Sequence, residues 1–368
     1  MLKANTHPNN INFQGTRDST IYFSTSGSSG VPKIFPLNFS DVERNSKLHG
    51  SGYKNAGILE TDVVATWGMP GFFNSEFTVY LALKETGCTI LPFGDFSNFK
   101  NLYEHIEQLK ASVLLVMPSD FIEFANYLRT QKLQLSHVRL FIYGGESLYA
   151  QDRELFKTVF PENIDFRAVY QTSDCGSIGY QCPKCPEGHF HIHHEFQNIE
   201  IVDQDSEGIG DILTTNQIRL EKPIVRQYVG DRGYFVDLSC DPMGRKGLVL
   251  TGRRDDFIKV WGEKIPKEWF LFLREKLRLP LVDFHVQMNK TSFGDDQVIF
   301  FSNKIWNSLD LQNEVKNQLS LMHTRYAKIL SLRSSQVLNF EKYQFKNPPK
   351  TLSGKVRMIS DQRQGAIF

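Results

Sequence analysis

An excess of charge of either sign is missing from this chain: 42 lysines and arginines face 41 aspartates and glutamates, a formal net charge of +1. No polyanion is implied as a partner and no basic block stands out, so nucleic acid is not expected. Cysteine is scarce, with 5 in 368 residues, which excludes a disulfide scaffold and makes a reducing cytoplasm the default compartment. No apolar run approaches the roughly 20 residues that cross a bilayer. The opening MLKANTHPNNINFQG is polar and has no apolar signal core, so neither membrane nor export is expected. Internal repeats and low-complexity tracts are absent too.

What is present is enough for a sizeable core. Hydrophobic residues make up 40% of the chain, and 29 phenylalanines raise the aromatic share to 12%. One large core and a second, smaller domain fit this length. After a flexible lead-in over residues 1–18, Ser19–Ser24 reads as a strand entering a Gly/Ser loop. Short buried strands are expected at Asp62–Thr66, Thr89–Phe93, Val113–Val116, Arg139–Tyr143 and Phe166–Tyr170. Helices are expected between them at Glu76–Thr86, Phe99–Lys110, Ser119–Gln131 and Gln151–Phe160. That alternation predicts α/β layering with a largely parallel sheet.

Beyond Tyr180 turns and β-like runs dominate, at Asn198–Val202, Asp211–Thr215 and Tyr234–Asp237, and predict an added antiparallel β subdomain. After the charged turn GRRDD come a strand-like FIKVWG, helices at Lys267–Leu277 and Leu309–Thr324, and strands at Asp283–Gln287 and Gln297–Phe301. The expected organisation is an N-terminal domain over 1–252, a hinge at 253–256 and a small mobile α+β C-terminal domain over 257–368.

The run Phe23-Ser24-Thr25-Ser26-Gly27-Ser28-Ser29-Gly30-Val31-Pro32-Lys33 is the most telling segment. Glycines let backbone approach an anion closely, while hydroxyls and free N–H groups donate to phosphate oxygens. Lys33 adds positive charge. The spacing is not that of a Walker loop, and a plain flexible Ser/Gly loop is the alternative. The Pro-Lys ending after an apolar strand favours phosphate.

At this loop the chain resembles the adenylate-forming superfamily of acyl-CoA synthetases, peptide-synthetase adenylation domains and luciferases, whose T-S-G-[S/T]-[S/T]-G-x-P-K signature matches Thr25–Lys33. Further matches follow in the family's order. Gly144-Gly145-Glu146 resembles the adenine-contacting Gly-Ala-Glu segment, and Tyr170-Gln171-Thr172-Ser173-Asp174 resembles Y-G-x-[T/S]-E. Arg226–Asp231 resembles R-Y-x-T-G-D, Gly252–Lys259 resembles the hinge motif G-R-x-D-D-x-I-K, and Pro349–Lys355 resembles P-K-T-x-S-G-K. Among superfamily members, phenylacetate-CoA ligase-like enzymes are most similar, sharing a C…H-I-H stretch before a Glu-Ile-Val-Asp strand.

The resemblance implies an ATP-dependent enzyme that makes an acyl-adenylate from a small carboxylic acid and passes the acyl group to a thiol. A carboxylate is a poor nucleophile and repels ATP phosphates, so such a site must neutralise charge and align attack on the α-phosphorus. Ser26, Ser28, Ser29 and Lys33 are thereby assigned to the β- and γ-phosphates, with Thr25, Gly27 and Gly30 in the same ATP-binding loop. Gly144, Gly145 and Glu146 go to adenine, with Tyr170 stacking on it and Gln171 and Thr172 alongside. Ser173 is assigned to the α-phosphate region and Asp174 to Mg²⁺, which takes hard carboxylate oxygens. Asp231 would accept from the ribose hydroxyls, with Arg253 nearby. Lys355 is the catalytic cation, a flexible ammonium that reaches the reacting groups in one domain orientation and leaves in the next. Asp255 would be the pivot, and Lys259 and Gly262 would line a thiol tunnel in the second orientation. Against the family pattern, Asp174 stands for Glu and Gln171 for Gly, and the phosphate loop lies earlier than the family's several dozen preceding residues place it.

Cys182-Pro183-Lys184-Cys185 and the following His189-Phe190-His191-Ile192-His193-His194 concentrate soft ligands. C-x₂-C directs two thiolates at one zinc ion, and a histidine with a distant cysteine completes a tetrahedron. Phenylacetate-CoA ligase-like proteins that place a Cys, a His and a later C-x-C-G-R around zinc look similar, with Met243 here where the second late cysteine would fall. The candidate structural zinc ligands are Cys182, Cys185, His191 and Cys240; the alternative is a reduced cysteine pair beside solvent-facing histidines. Cys88 and Cys175 read as small buried hydrophobes.

Met69–Asn74 falls where the family often places residues gating its acid and thiol channels, and Phe72, Phe73 and Tyr143 are the candidate lining of a pocket for an aryl or other small hydrophobic acid; a Phe pair in the core is the alternative. The acceptor is coenzyme A or the phosphopantetheine of an acyl carrier protein. A second class of function stays open, a catalytically impaired homologue serving as a scaffold in a biosynthetic complex. Nucleic-acid ligation through a lysyl-adenylate is set aside, because no K-x-D-G motif or basic surface is present.

Overall fold

The computed structural model describes residues 19–24, 34–67, 74–94, 98–145, 148, 150–172, 175–220, 223–253, 257–260, 263–266, 269–270, 273, 276–277, 284–290, 296–302, 309–322, 337–342 and 359–361. It opens on an antiparallel hairpin of β1 (Thr20–Ser24) and β2 (Ile34–Asn38), closed at the register pair Ser24↔Ile34. The chain then enters α1 (Phe39–Ala56) directly, and α1 ends at Gly57, whose φ of 113° lets its N–H and that of Ile58 return to the carbonyls of Lys54 and Tyr53.

No helix was expected over α1. The reason lies in its buried face, which includes Asp41, Ser46, His49, Gly50 and Gly52. A Cβ on Gly50 would sit 2.6 Å from the Ala82 carbonyl oxygen. Close backbone approach and small or polar side chains make up much of this contact, so the segment is polar overall and does not read as a run of apolar residues.

There follow β3 (Val63–Thr66), α2 (Asn74–Lys84), β4 (Thr89–Pro92), α3 (Phe99–Gln108), β5 (Val113–Leu115), α4 (Pro118–Gln131), β6 (Leu140–Gly144), α5 (Ala150–Lys157) and β7 (Asp165–Thr172). The strands pair in parallel in the order β4-β3-β5-β6-β7. Alternate residues of these strands serve two cores. Val64, Val113 and Ile142 pack with Tyr53 and Leu83 of α1 and α2. Leu114 and Phe141 face a layer holding Phe121, Phe124, Phe156, Phe160 and Phe166 from α3–α5 and their surroundings. Phe121 and Phe160 lie parallel with centroids 5.1 Å apart, so much of the phenylalanine content is core.

The antiparallel region does not form a sheet of its own. β8 (Gly176–Tyr180) turns back beside β7, and β9 (His189–Ile192), β13 (Lys246–Arg253), β12 (Ile224–Asp237), β11 (Gly210–Asn216) and β10 (Gln197–Val202) continue one 11-stranded sheet. Only a short turn separates β7 from β8, too short for the crossover that a further parallel strand needs. The fold class is therefore α/β, with an antiparallel extension of the same sheet.

A separate core gathers Val260, Ile265, Phe270, Val286, Phe300, Val315 and Leu338. Its elements are the pair β14 (Phe257–Val260) and β15 (Glu263–Pro266), the helix α6 (Leu309–Met322), and a four-stranded sheet. That sheet runs in the order β18 (Leu338–Lys342), β17 (Asp296–Ser302), β16 (Phe284–Lys290), β19 (Ile359–Asp361). Among the described residues no helix is long and apolar enough to cross a membrane.

Candidate active site

The candidate site is placed beyond the carboxyl ends of β6 and β7, in the crevice where open α/β sheets bind their ligands. β6 delivers Tyr143 into the core and then two glycines that serve different ends. A Cβ on Gly144 would meet Val169 Cγ2 at 2.9 Å, so Gly144 lets β6 and β7 pack closely. Gly145 has a φ of 73° and open space around it, which turns the chain away from the sheet. On β7, Tyr170 is buried, and its hydroxyl donates to Asp231 Oδ2 at 2.8 Å across 61 residues of sequence. The Tyr170 ring packs against Phe190, centroid to centroid 6.0 Å. Asp231 on β12 stands opposite Arg253 of β13 in the strand register. The Gln171 amide lies 3.8 Å from the Cβ position of Gly144, so it fills space beside the β6 loop that a glycine would leave empty.

Thr172, at the end of β7, and Cys175, just before β8, flank positions 173 and 174, and a buried polar network holds these flanks. Thr172 Oγ1 accepts from the Cys175 N–H at 3.0 Å. The Gln197 amide donates to the carbonyls of Cys175 at 3.1 Å and Ser177 at 2.7 Å. Asn216 donates to the same Cys175 carbonyl at 2.5 Å, and Thr214 donates to Gln197 Oε1 at 2.9 Å. From the other side, Asn45 of α1 accepts from the Ser177 N–H at 3.1 Å, and a Cβ on Gly176 would collide with that Asn45 side chain. None of Asn45, Gln197, Thr214 and Asn216 was singled out in the sequence. Polar residues in strands read as the solvent-facing half of an alternation.

Gln197→Leu removes both amide donors and strands the Thr214 hydroxyl in the core. The expected cost is about 2–3 kcal/mol of stability, read by denaturant unfolding. KM for MgATP should rise roughly tenfold as the turn loses its support. Unchanged unfolding and unchanged KM would show that the network supports nothing.

The cysteine and histidine residues converge as well. All four donor atoms of Cys182, Cys185, His191 and Cys240 lie within 4.8 Å of one another. The Sγ of Cys185 is 3.5 Å from that of Cys182 and 3.8 Å from that of Cys240, and His191 Nε2 is 3.3 Å from both Cys182 and Cys240. Tetrahedral zinc with bonds of about 2.0–2.3 Å sets its ligand atoms on the order of 3.6–3.8 Å apart, so the donor set fits such an ion. His191 Nδ1 lies 3.3 Å from Asp241 Oδ2, which directs Nε2 toward the sulfurs. Burial would raise the Asp241 pKa, but hydrogen bonds from the Arg245 guanidinium and from the backbone N–H groups of Arg245 and Met243 outweigh it and hold the carboxyl low. Burial also pushes the Cys185 and Cys240 thiols up and lowers His191, the last opposed by its bond to Asp241. Met243 is exposed, and it meets this cluster through its backbone N–H, which donates to Asp241 Oδ1 at 2.9 Å. Cys175 is buried and Cys88 is half-buried.

Residues 8–216, more than half of the chain, match the family described as AMP-binding enzyme. The chain belongs to the AMP-binding enzyme family. It is similar to an indoleacetate–lysine synthetase of Pseudomonas savastanoi, 23% identical over 217 residues that make up 58% of this chain. The match spans about half of that relative, 53% of its length. Among solved structures, a 2-hydroxyisobutyryl-CoA ligase in complex with 2-HIB-AMP and CoA in the thioesterification state superposes with a TM-score of 0.69 at 15% identity, covering 94% of this chain and 74% of that one. The same ligase in the postadenylation state with 2-HIB-AMP gives 0.57 at 14% identity over the same shares. The amide bond synthetase McbA from Marinactinospora thermotolerans gives 0.57 at 16% identity, over 92% of this chain and 67% of that one. These likenesses are of fold.

For an AMP-binding enzyme the described residues bring together Gly144, Gly145, Tyr170, Gln171, Thr172, Asp231 and the backbone of Arg253. Tyr143 is buried, and burial pushes its hydroxyl up to about 12. The phosphate loop, Thr25–Lys33, connects β1 to β2 but itself lies outside the described residues. So do Phe72, Phe73, Glu146, Ser173, Asp174, Asp255, Gly262 and Lys355. Lys259 is placed only by its backbone, on β14 opposite Lys264.

Proposed function

We propose that this AMP-binding enzyme uses ATP and Mg²⁺ to activate a small aryl or hydrophobic carboxylic acid and transfers the acyl group to a thiol, that of coenzyme A or of a carrier protein's phosphopantetheine. One observation carries the reading: Tyr170 and Asp231, from motifs 61 residues apart, share a 2.8 Å hydrogen bond beside the Gly144–Gly145 turn. A carboxylate oxygen of the acid attacks the α-phosphorus and pyrophosphate leaves; the thiolate then attacks the acyl carbon and AMP leaves. Asp231, fixed by Tyr170, is suited to accept from ribose hydroxyls. The β1–β2 loop donates to the phosphates, Asp174 holds Mg²⁺, and Lys355 supplies the mobile positive charge.

Amine transfer is the second reading, favoured by the match to indoleacetate–lysine synthetase over 58% of the chain. That relative's name also supports an aryl acid. The better superposition on the thioesterification state than on the postadenylation state of one ligase, 0.69 against 0.57, supports a small C-terminal unit standing here in a transfer arrangement. For the metal centre, Cys182, Cys185, Cys240 and His191 would hold a zinc ion that ties the β8–β9 loop to the β12–β13 loop; its part is structural.

Pyrophosphate exchange with a panel of acids should show ATP-dependent activation of an aryl acid. Mass spectrometry with coenzyme A, a phosphopantetheinyl carrier protein and lysine then identifies the acceptor. Amide formation without thioester would replace the thiol reading by the amine one. Measurable ATP binding without exchange for any acid would leave the scaffold reading.

A further inference from the structure

Away from the crevice, one buried charge cluster joins the two cores. Lys290 Nζ lies 3.0 Å from Asp152 Oδ1 and 3.1 Å from Asp296 Oδ1, with side chains 4%, 1% and 11% exposed. Lys290 ends β16 and Asp296 begins β17, and the two are direct register partners. Asp152 belongs to the first turn of α5, the helix that follows the Gly144–Gly145 turn.

The three charges are unequal in what they need. Lys290 and Asp296 share one hairpin and stay together however the small unit moves. Asp152 sits at a helix N-terminus, where backbone N–H groups and the helix dipole favour a carboxylate without any cation. Each side is therefore stable apart, and contact between them requires that all three be taken out of water together. A buried pair of this kind adds little when complete, but losing one partner leaves an uncompensated charge, which is strongly unfavourable. Such a contact works as an orientation selector: it is satisfied in one arrangement of the units and absent from any other.

We propose that Lys290, held by Asp296 and inserted against Asp152, is a latch that positions the small unit for acyl transfer, and that it opens each time the unit swings back for adenylation. The inference rests on the two-orientation reading above. Neither Lys290 nor Asp152 touches the expected reacting groups, so both are positioning residues.

Orientation can be read without catalysis. Encoded spin-labelled side chains at the exposed positions Leu59 and Leu321 would report the distance between units by double electron–electron resonance on the full chain. Asp152→Asn should lower the ratio of the latched to the other distance populations by about tenfold. Lys290→Met should do the same. Asp152→Glu, which keeps a carboxylate at the helix N-terminus opposite Lys290, serves as the control, expected to retain most of the wild-type distribution. With an acid found by exchange, Asp152→Asn should slow single-turnover transfer about tenfold while exchange is unchanged. Identical distance distributions in wild type and Asp152→Asn would overturn the latch. Absence of exchange with every acid would overturn the adenylating reading instead, leaving the distance result standing.

Discussion

Lys355→Ala is expected to lower the rate of acyl-adenylate formation by about 10²–10³-fold, the range found when a single group stabilising transition-state charge is removed. In the transition state, negative charge from the attacking carboxylate gathers on an α-phosphate that is already negative. An ammonium placed between them neutralises charge that does not exist to the same degree in the bound substrates, so its loss appears in the rate more than in binding. KM for ATP should change little, since the residues proposed to hold the phosphates and Mg²⁺ are untouched and the Tyr170–Asp231 pair remains. Unfolding should be unchanged, because the residue is assigned to a segment that has to move. Lys355→Arg should rescue poorly: a planar guanidinium on a different stem does not put its charge at the same point. Transfer of the acyl group from separately supplied acyl-adenylate should survive in the alanine variant, since that step needs no charge neutralisation at the α-phosphorus. Undiminished exchange would remove Lys355 from its role, whatever the acceptor proves to be.

How far the site could be read from sequence depends on what kind of contact builds it. Tyr170, Asp231 and Gly144 fall in short motifs whose chemistry needs fixed residue types at fixed spacing, and the fold brings them to one crevice. Cys182, Cys185, His191 and Cys240 come within one coordination sphere of each other because turns of fixed length join β8 to β9 and β12 to β13. The strand–helix alternation before Tyr180 was legible because buried parallel strands are short apolar runs.

Three features were not legible, each for its own reason. α1 buries small and polar residues, so its buried face does not stand out as apolar. The union of the parallel and antiparallel parts rests on pairings such as Leu248↔Phe190, between strands far apart in the chain. Gln197, Thr214, Asn216 and Asn45 gain their role only from carbonyls and N–H groups exposed by a turn elsewhere. A local pattern carries no trace of a partner that is distant in sequence, and Lys290 and Asp152, 138 positions apart by their numbers, are a further case.

Zinc removal is expected to have the second largest effect, and on stability rather than chemistry. Protein prepared without chelator should hold close to one zinc per chain, and Cys240→Ser should abolish it. Anything bound only to the folded state stabilises it by RT ln(1 + [L]/Kd), about 4 kcal/mol when free zinc is 1,000 times Kd. Chelation should therefore lower the denaturant midpoint by an amount equivalent to several kcal/mol, and readdition of zinc should restore it. The effect should be local in origin, because Cys182 and Cys185 lie in the β8–β9 loop and Cys240 in the loop between β12 and β13. Those loops are secured to each other by the cluster, and the Asp241–Arg245 pair orients His191 beside them. His191→Ala should reproduce the stability loss, whereas Asp241→Asn should weaken metal affinity by roughly 10–100-fold without abolishing it, as loss of a partner to a ligating histidine does. The adenylation rate per folded molecule should be the same with and without the ion, since the Tyr170–Asp231 pair and the Cys175–Ser177 turn are held by separate hydrogen bonds. Zinc near zero in gently prepared protein, with a midpoint indifferent to chelator, would leave the four residues as three reduced thiols and a buried imidazole.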